Sequence, residues 1–319
     1  PCTEQGLLGA IAAGGGPHAF ACGGPTVVIT TAEIEIDNSV ILDGEGDLTV
    51  DGGDAHRVFS VAAGVTAELR NLTVRNGSTD GSSALAYGPG AGIHNQGTLT
   101  VSNCTISDSQ TGDYLGADGG GIYNAGTLTI MDSTISRNVA PPVYGQGGGI
   151  RSTGTLVLES STVSDNFGEA GGGISVRGMT TVINSTISGN STAIGGAGIE
   201  SLGTLTVTNS TLSGLHPSYP GEAILNFGTA DLTNTLIEGE CGGQLVSYGG
   251  NVESPGDTCS LTDATDQVGV SSSALALGPL ADNGGPTETH ALLLGSNAID
   301  SGTNLGCPLV DQRVFARSD

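Results

Sequence analysis

The chain has 319 residues, 55 of them glycine, with 3% aromatics, no tryptophan and a formal net charge of −24; its eight cationic side chains are all arginine. So acidic a chain excludes nucleic acid as a partner, because phosphate binding needs a concentrated basic surface, and it repels acidic polysaccharides unless a divalent cation bridges the two. Hydrophobic content of 37% is too high for disorder, yet so few aromatics make a poor globular core, so the fold must come from repetition. No stretch of 18 apolar residues is present, and no transmembrane segment is expected.

Pro1-Cys2 reads as a start left by processing. Residues 3–13 carry a capping threonine, Thr3, and apolar Leu7, Leu8 and Ile11, which predicts a short helix covering the open end of whatever follows. Looser strands are expected at residues 27–30, 33–36, 40–42 and 58–61. Isoleucines after glycine-rich turns then stand at Ile93, Ile122, Ile150, Ile174, Ile199 and Ile224, at intervals of 29, 28, 24, 25 and 25 residues. Four residues after each comes a glycine (Gly97, Gly126, Gly154, Gly178, Gly203, Gly228), and seven further on a small residue (Cys104, Ser133, Ser161, Ser185, Ser210, Thr235).

Between those positions the chain alternates with period 2, as in Thr98-Leu99-Thr100-Val101, the pattern of a half-buried strand. Three short strands per repeat, none able to bury its face alone, become stable when successive coils stack. The expected fold is all-β, a right-handed single-stranded parallel β-helix of about nine coils, roughly 45 Å long at the usual interstrand spacing. An N-terminal cap spans residues 1–25, the β-helix 26–240 and an irregular C-terminal cap 241–319. Stacking aligns an inward aliphatic row (Val101, Ile130, Leu158, Val182, Val207, Leu232) and a turn row (Asn103, Asp132, Ser160, Asn184, Asn209, Asn234). Asn103, Asn184 and Asn209 also open Asn-Xaa-Thr tripeptides, the N-glycosylation acceptor. No CxxC or paired-histidine pattern suggests zinc, so the six cysteines point to an oxidising compartment, with Cys2–Cys22 and Cys241–Cys259 as local disulfides. Cys104 reads as a buried, inert substitute for serine, and Cys307 is left unassigned.

Repeats such as Gly119-Gly120-Gly121-Ile122-Tyr123-Asn124 and Ser185-Thr186-Ile187-Ser188-Gly189-Asn190 resemble those of secreted bacterial β-helix proteins with a pectin-lyase-like fold. The tail resembles a choice-of-anchor Q domain through Pro279-Leu280-Ala281-Asp282-Asn283-Gly284-Gly285-Pro286-Thr287, Thr289-His290-Ala291-Leu292, Ala298-Ile299-Asp300-Ser301-Gly302 and Asp311-Gln312-Arg313, with Val314 where that family commonly has glycine. The resemblance implies the fold and an extracellular, secreted or cell-surface location; the fold hosts lyases, hydrolases, adhesins and structural proteins alike.

Three outward rows are candidate sites. The residue after each isoleucine gives His94, Tyr123, Arg151, Ser175, Glu200 and Leu225, and a polysaccharide lyase could use His94 or Tyr123 as base and Arg151 to neutralise a uronate carboxylate. The threonines Thr98, Thr127, Thr155, Thr204 and Thr229 beside Thr100, Thr129, Thr181 and Thr206, interrupted by Met179, Val157 and Asp231, resemble the ladders of ice-binding proteins. Loop side chains Tyr87, Tyr114, Tyr144, Phe167, Ile194 and Tyr219 form a stripe that could meet sugars or protein. Aspartates in those loops (Asp80, Asp113, Asp118, Asp165) permit calcium without matching a calcium-loop motif, and no other cofactor is expected. The leading expectation is a non-enzymatic extracellular structural or adhesive protein that self-associates, into filaments or a surface layer, or binds cell-surface or extracellular polysaccharide. A lyase or hydrolase is the alternative and ice binding the minor one.

Overall fold

The computed structural model describes residues 1–79, 88–113, 115–141, 143–217 and 222–317. The chain winds into a right-handed parallel β-solenoid whose coils each carry a five-residue strand such as Thr127–Met131, a three-residue strand such as Thr134–Ser136, and a three-residue strand opening on the isoleucine, such as Ile122–Asn124. The first two kinds share an 18-stranded sheet bent at the asparagine turn, and the isoleucine strands form a nine-stranded sheet. Register is strict: Leu99, Leu128 and Leu156 stack on one another, as do Val101, Ile130 and Leu158. Every one of these side chains is fully buried, so the core is a continuous column of aliphatic residues running through the coils.

The turn row explains why asparagine recurs. Asn103, Asp132, Ser160, Asn184, Asn209 and Asn234 all have φ between 49° and 51°, the left-handed conformation that asparagine and aspartate tolerate best among residues with a side chain. The small row forms a buried hydrogen-bond ladder: the Cys104 N–H donates to Ser133 Oγ (3.0 Å), Ser133 N–H to Ser161 Oγ (3.1 Å) and Ser161 N–H to Ser185 Oγ (3.2 Å). A second ladder, not expected from the repeat, runs through Ser109, Asn138, Asn166 and Asn190, the backbone N–H of each of the first three donating to the side-chain carbonyl of the next asparagine. The row that includes Gly154 must be glycine because the chain passes so close to the coil before it that a Cβ there would overlap the Gly126 carbonyl oxygen.

Helix Glu4–Ala13 covers the first coil, with Thr3 Oγ1 accepting from the Gly6 N–H and with Leu7, Ala10 and Ile11 buried; Leu8 is 40% exposed. Both expected disulfides are formed, Cys2–Cys22 and Cys241–Cys259. Coil stacking differs from the expected limits at both ends. It begins at Gly15–Ala19, which pairs with the strand Val40–Asp51, and it continues past Glu240 through Val252–Ser254.

The C-terminal region is not only an end cap. After the short helix Ser272–Leu275 it folds back along the outside of the solenoid and reads the ladders there. Asn234 Nδ2 donates to Thr303 O (2.9 Å), Asn209 Nδ2 to Gly306 O (2.9 Å) and Asn184 Nδ2 to Val310 O (2.9 Å). Gln312, 8% exposed, accepts from Thr186 Oγ1 (2.7 Å) and donates to Thr162 Oγ1 (3.0 Å) and Ser161 O (3.2 Å), while His290 Nε2 meets Ser188 Oγ at 2.9 Å. Two of the residues that carried the tail's resemblance, His290 and Gln312, are among its docking contacts. Of the three Asn-Xaa-Thr positions, the Asn184 and Asn209 amide nitrogens are engaged by the tail and Asn184 is 3% exposed, whereas Asn103 is exposed and donates to Asn71 Oδ1.

Candidate functional site

Along the nine-stranded sheet the residues after the isoleucines align in the order Ser60, His94, Tyr123, Arg151, Ser175, Glu200, Leu225. They point away from the aliphatic core, as alternation requires, but the expectation that they face solvent fails for the middle of the row: Arg151 is 2%, Ser175 0% and Glu200 7% exposed. The cover is the glycine-rich turn that leads into each isoleucine strand. Gly171 and Gly196, at φ +63°, lie so close over the row that a Cβ on the first would meet Ser175 Cβ at 2.7 Å and one on the second Glu200 Cα at 3.0 Å. Next to this cover the loop segments Phe167–Ala170, Ser191–Gly195 and His216–Pro217 pair into a small sheet of their own.

Under the cover Arg151 is held by acids. Its guanidinium donates to Ser175 Oγ, which in turn donates to Glu200 Oε2 (2.6 Å). Arg151 also stands 3.7 Å from Asp118 Oδ2 and 3.9 Å from Glu200 Oε2. Asp118 Oδ1 is occupied separately by the Gln146 N–H (3.0 Å). Burial lowers the Arg151 pKa, with Arg177 acting in the same direction and Asp118, Glu200 and Tyr123 opposing. Arg151 Nε has no hydrogen-bond acceptor among the described residues. Glu169, on the loop strand above, has its carboxyl raised by burial and by the nearby charges of Glu200 and Asp118.

His94 and Tyr123 lie at the more open end of the row, ring centroids 5.3 Å apart and edge to face. Burial, reinforced by the Arg57 guanidinium and opposed by Glu33, pushes the His94 pKa down to about 4, so the imidazole is neutral at pH 7 and a weak base. Arg57 is itself paired with Glu33 at 2.8 Å. The structure thus brings His94, Tyr123 and Arg151 onto adjacent coils, but Arg151 is enclosed and neutralised.

Of the loop aromatics, Tyr144 is 49% exposed and Phe167 half-buried; Tyr87, Tyr114 and Tyr219 lie outside the described residues, as does Asp80. Among the described residues no group of three or more His, Cys, Asp or Glu side chains is arranged to hold a metal ion, and no helix is long and apolar enough to cross a membrane. Cys104 is buried, its thiol pushed up to about 12 chiefly by that burial, while Cys307 is exposed and unpaired. Sequence reasoning treated Asp118 as solvated surface and passed over Glu169. Their signal was position: both stand four or five residues before the isoleucine of a coil, where the chain crosses the covered row.

No curated protein and no solved structure matches the chain. The pattern of the right handed beta helix region matches residues 25–251, most of the chain, and the protein belongs to that family.

Proposed function

We propose that this protein is a non-catalytic extracellular rod that works by adhesion. The observation that carries the reading is the enclosure of Arg151: a lyase needs a cation that can reach a substrate carboxylate, and this one is 2% exposed between Asp118 and Glu200. Two disulfides and the stacked, aliphatic-cored coils suit an oxidising environment outside the cell. The ends favour separate rods over filaments at neutral pH. The edge strands Thr26–Ile29 and Ile34–Ile36 offer pairing groups, but exposed Glu35 and Asp37 at that end oppose exposed Asp257 and Asp263 at the other. Negative-stain microscopy with light scattering at rising salt tests this. Single rods at low salt that associate only when charge is screened support the reading, and filaments at low salt overturn it.

One observation favours hydrolase chemistry as a second reading: a carboxyl held above its ordinary range, Glu169, beside two further carboxylates is the arrangement a general acid requires. Release of reducing ends from a panel of neutral and acidic polysaccharides, abolished by Glu169→Gln, is the result that would establish it in place of adhesion.

A further inference from the structure

The end of the rod that helix Glu4–Ala13 covers is left incomplete on one side. Ile34–Ile36 is the outermost strand of the nine-stranded sheet and, among the described residues, pairs only with Phe59–Val61. The Ile34 N–H donates to Val58 O and the Ile36 carbonyl accepts from the Ala62 N–H, each at 3.0 Å. Main-chain groups alternate sides along a strand, so Glu35, between those two, turns its N–H and C=O away from the sheet toward the open edge. The helix does not close that edge. Between the two lies a cavity of about 380 Å³, with Leu8, Ile11 and Ala12 on the helix side and Glu35, Asp37 and Asn38 on the strand side. Asn38 joins the two walls, its Nδ2 donating to Ile11 O at 3.2 Å. Glu33 is matched by Arg57 at 2.8 Å, whereas the exposed Glu35 and Asp37 carboxylates have no hydrogen bond or ion pair among the described residues.

We infer that this edge and its cavity are a docking site for an extended segment of a partner protein in which basic and apolar residues alternate, added to the sheet as a further strand beside Ile34–Ile36. The sidedness follows from the pleat. Residues of the incoming segment opposite Ile34 and Ile36 face inward and fill the cavity against Leu8, Ile11 and Ala12. The residue opposite Glu35 faces outward beside the Glu35 and Asp37 carboxylates, where a lysine or arginine is matched. Main-chain hydrogen bonds at Glu35 hold the segment, and the alternation of its side chains selects it. A second copy is the wrong occupant, because its own equivalent edge would bring Glu35 and Asp37 against the same acids. The carboxylates that keep rods apart therefore choose a basic partner. The −24 charge of the whole chain draws any polycation toward the rod, so pattern has to be separated from charge.

The inference rests on the adhesive reading, for which it names a partner. Calorimetry of the full chain with a capped octapeptide of alternating lysine and valine, at about 0.15 M salt to screen diffuse attraction, is expected to show saturable binding at one site per chain. Two further peptides carry the same charge: one has its four lysines followed by its four valines, and one alternates but is N-methylated throughout, so that it cannot donate to a strand edge. Both are expected to bind at least about tenfold more weakly, and this comparison needs only the native chain. Glu35→Lys, at an exposed position whose main chain lies outside the ladder to Phe59–Val61, is expected to weaken the alternating peptide by at least about tenfold while the circular dichroism melt stays unchanged. No binding, equal binding of the three peptides, or indifference to Glu35→Lys overturns the site. Microscopy of the same samples separates the two readings: rods that bind the alternating peptide yet form filaments at low salt would refute the separate adhesive rod while leaving the site, and single rods that ignore the peptide would refute the site while leaving the rod.

Discussion

Two outward-facing rows on the same coils have opposite fates. On the five-residue strands, Thr98, Thr127, Thr155, Thr204 and Thr229 are exposed, and the next outward residue on each strand is half-buried only by its neighbours. On the isoleucine strands, Arg151, Ser175 and Glu200 are sealed. Both rows point away from the core by the same period-2 rule. What differs is the chain that leads in: a two-residue turn precedes the threonine strands, whereas a loop of a dozen residues or so returns across the isoleucine strands before entering them. Facing outward and being exposed are separate properties in a solenoid, and the loops decide the second.

The comparison breaks most visibly at Arg151. Arg151→Ala leaves buried Glu200 and half-buried Asp118 without their cation, and breaking a buried pair in this way costs about 3–5 kcal/mol. Urea denaturation is expected to show that loss, and a change below about 1 kcal/mol would mean that the cover opens readily to water. Gln312→Ala acts on the other covered surface. It removes the donor and acceptor shared with Thr162, Thr186 and Ser161, at about 1–3 kcal/mol, and limited proteolysis is expected to release the tail while the coils stay resistant.

Acid acts next. His94 is held neutral in the fold with its pKa near 4, while the unfolded chain takes up a proton near 6.5. Between those values the unfolded state binds more protons, so the His94 contribution is complete above about pH 6.5 and is lost as pH falls toward 4. Asp43, Asp51 and Asp108, whose carboxyls burial raises but hydrogen bonds and Arg70, Arg75 and Arg137 together bring below the ordinary value, hold their stabilisation through that window and lose it only below the ordinary carboxylate range. Melting temperature is expected to drop between pH 6.5 and 4 in the native chain, and His94→Gln is expected to flatten that part of the profile.

The threonine row, the aliphatic columns, the asparagine turn row, both disulfides and the capping helix were legible in the sequence because each is set by a short-range rule or a fixed interval. The cover over Arg151 was not, because the loops that make it vary in length and share no period. Nor was the tail's path, since its contacts join residues far apart in the chain, Thr186 with Gln312 and Ser188 with His290. Sequence did mark one site of strain there. Val314, standing where glycine is common, has φ +67°, a conformation that a β-branched side chain adopts only at a cost of about 1–3 kcal/mol. Its N–H closes a turn onto Asp311 O (2.9 Å), a bond that a glycine at this position would keep. Val314→Gly is expected to raise the melting temperature, and a fall would show that the exposed side chain has a contact of its own.

The smallest effect is expected on the open row and completes the contrast with Arg151. Thr127→Val keeps the branched shape that a strand favours and removes a hydroxyl for which no hydrogen bond is needed, because that position faces water. Stability should change by less than about 0.5 kcal/mol. Thr162→Val, equally a threonine on an outward position but buried under the tail and donating to Glu288 O at 2.6 Å, should lose several times as much. If the two substitutions proved equally costly in dilute solution, the threonine row would have to be covered as well, and a second copy of the rod would be the covering surface to look for by light scattering.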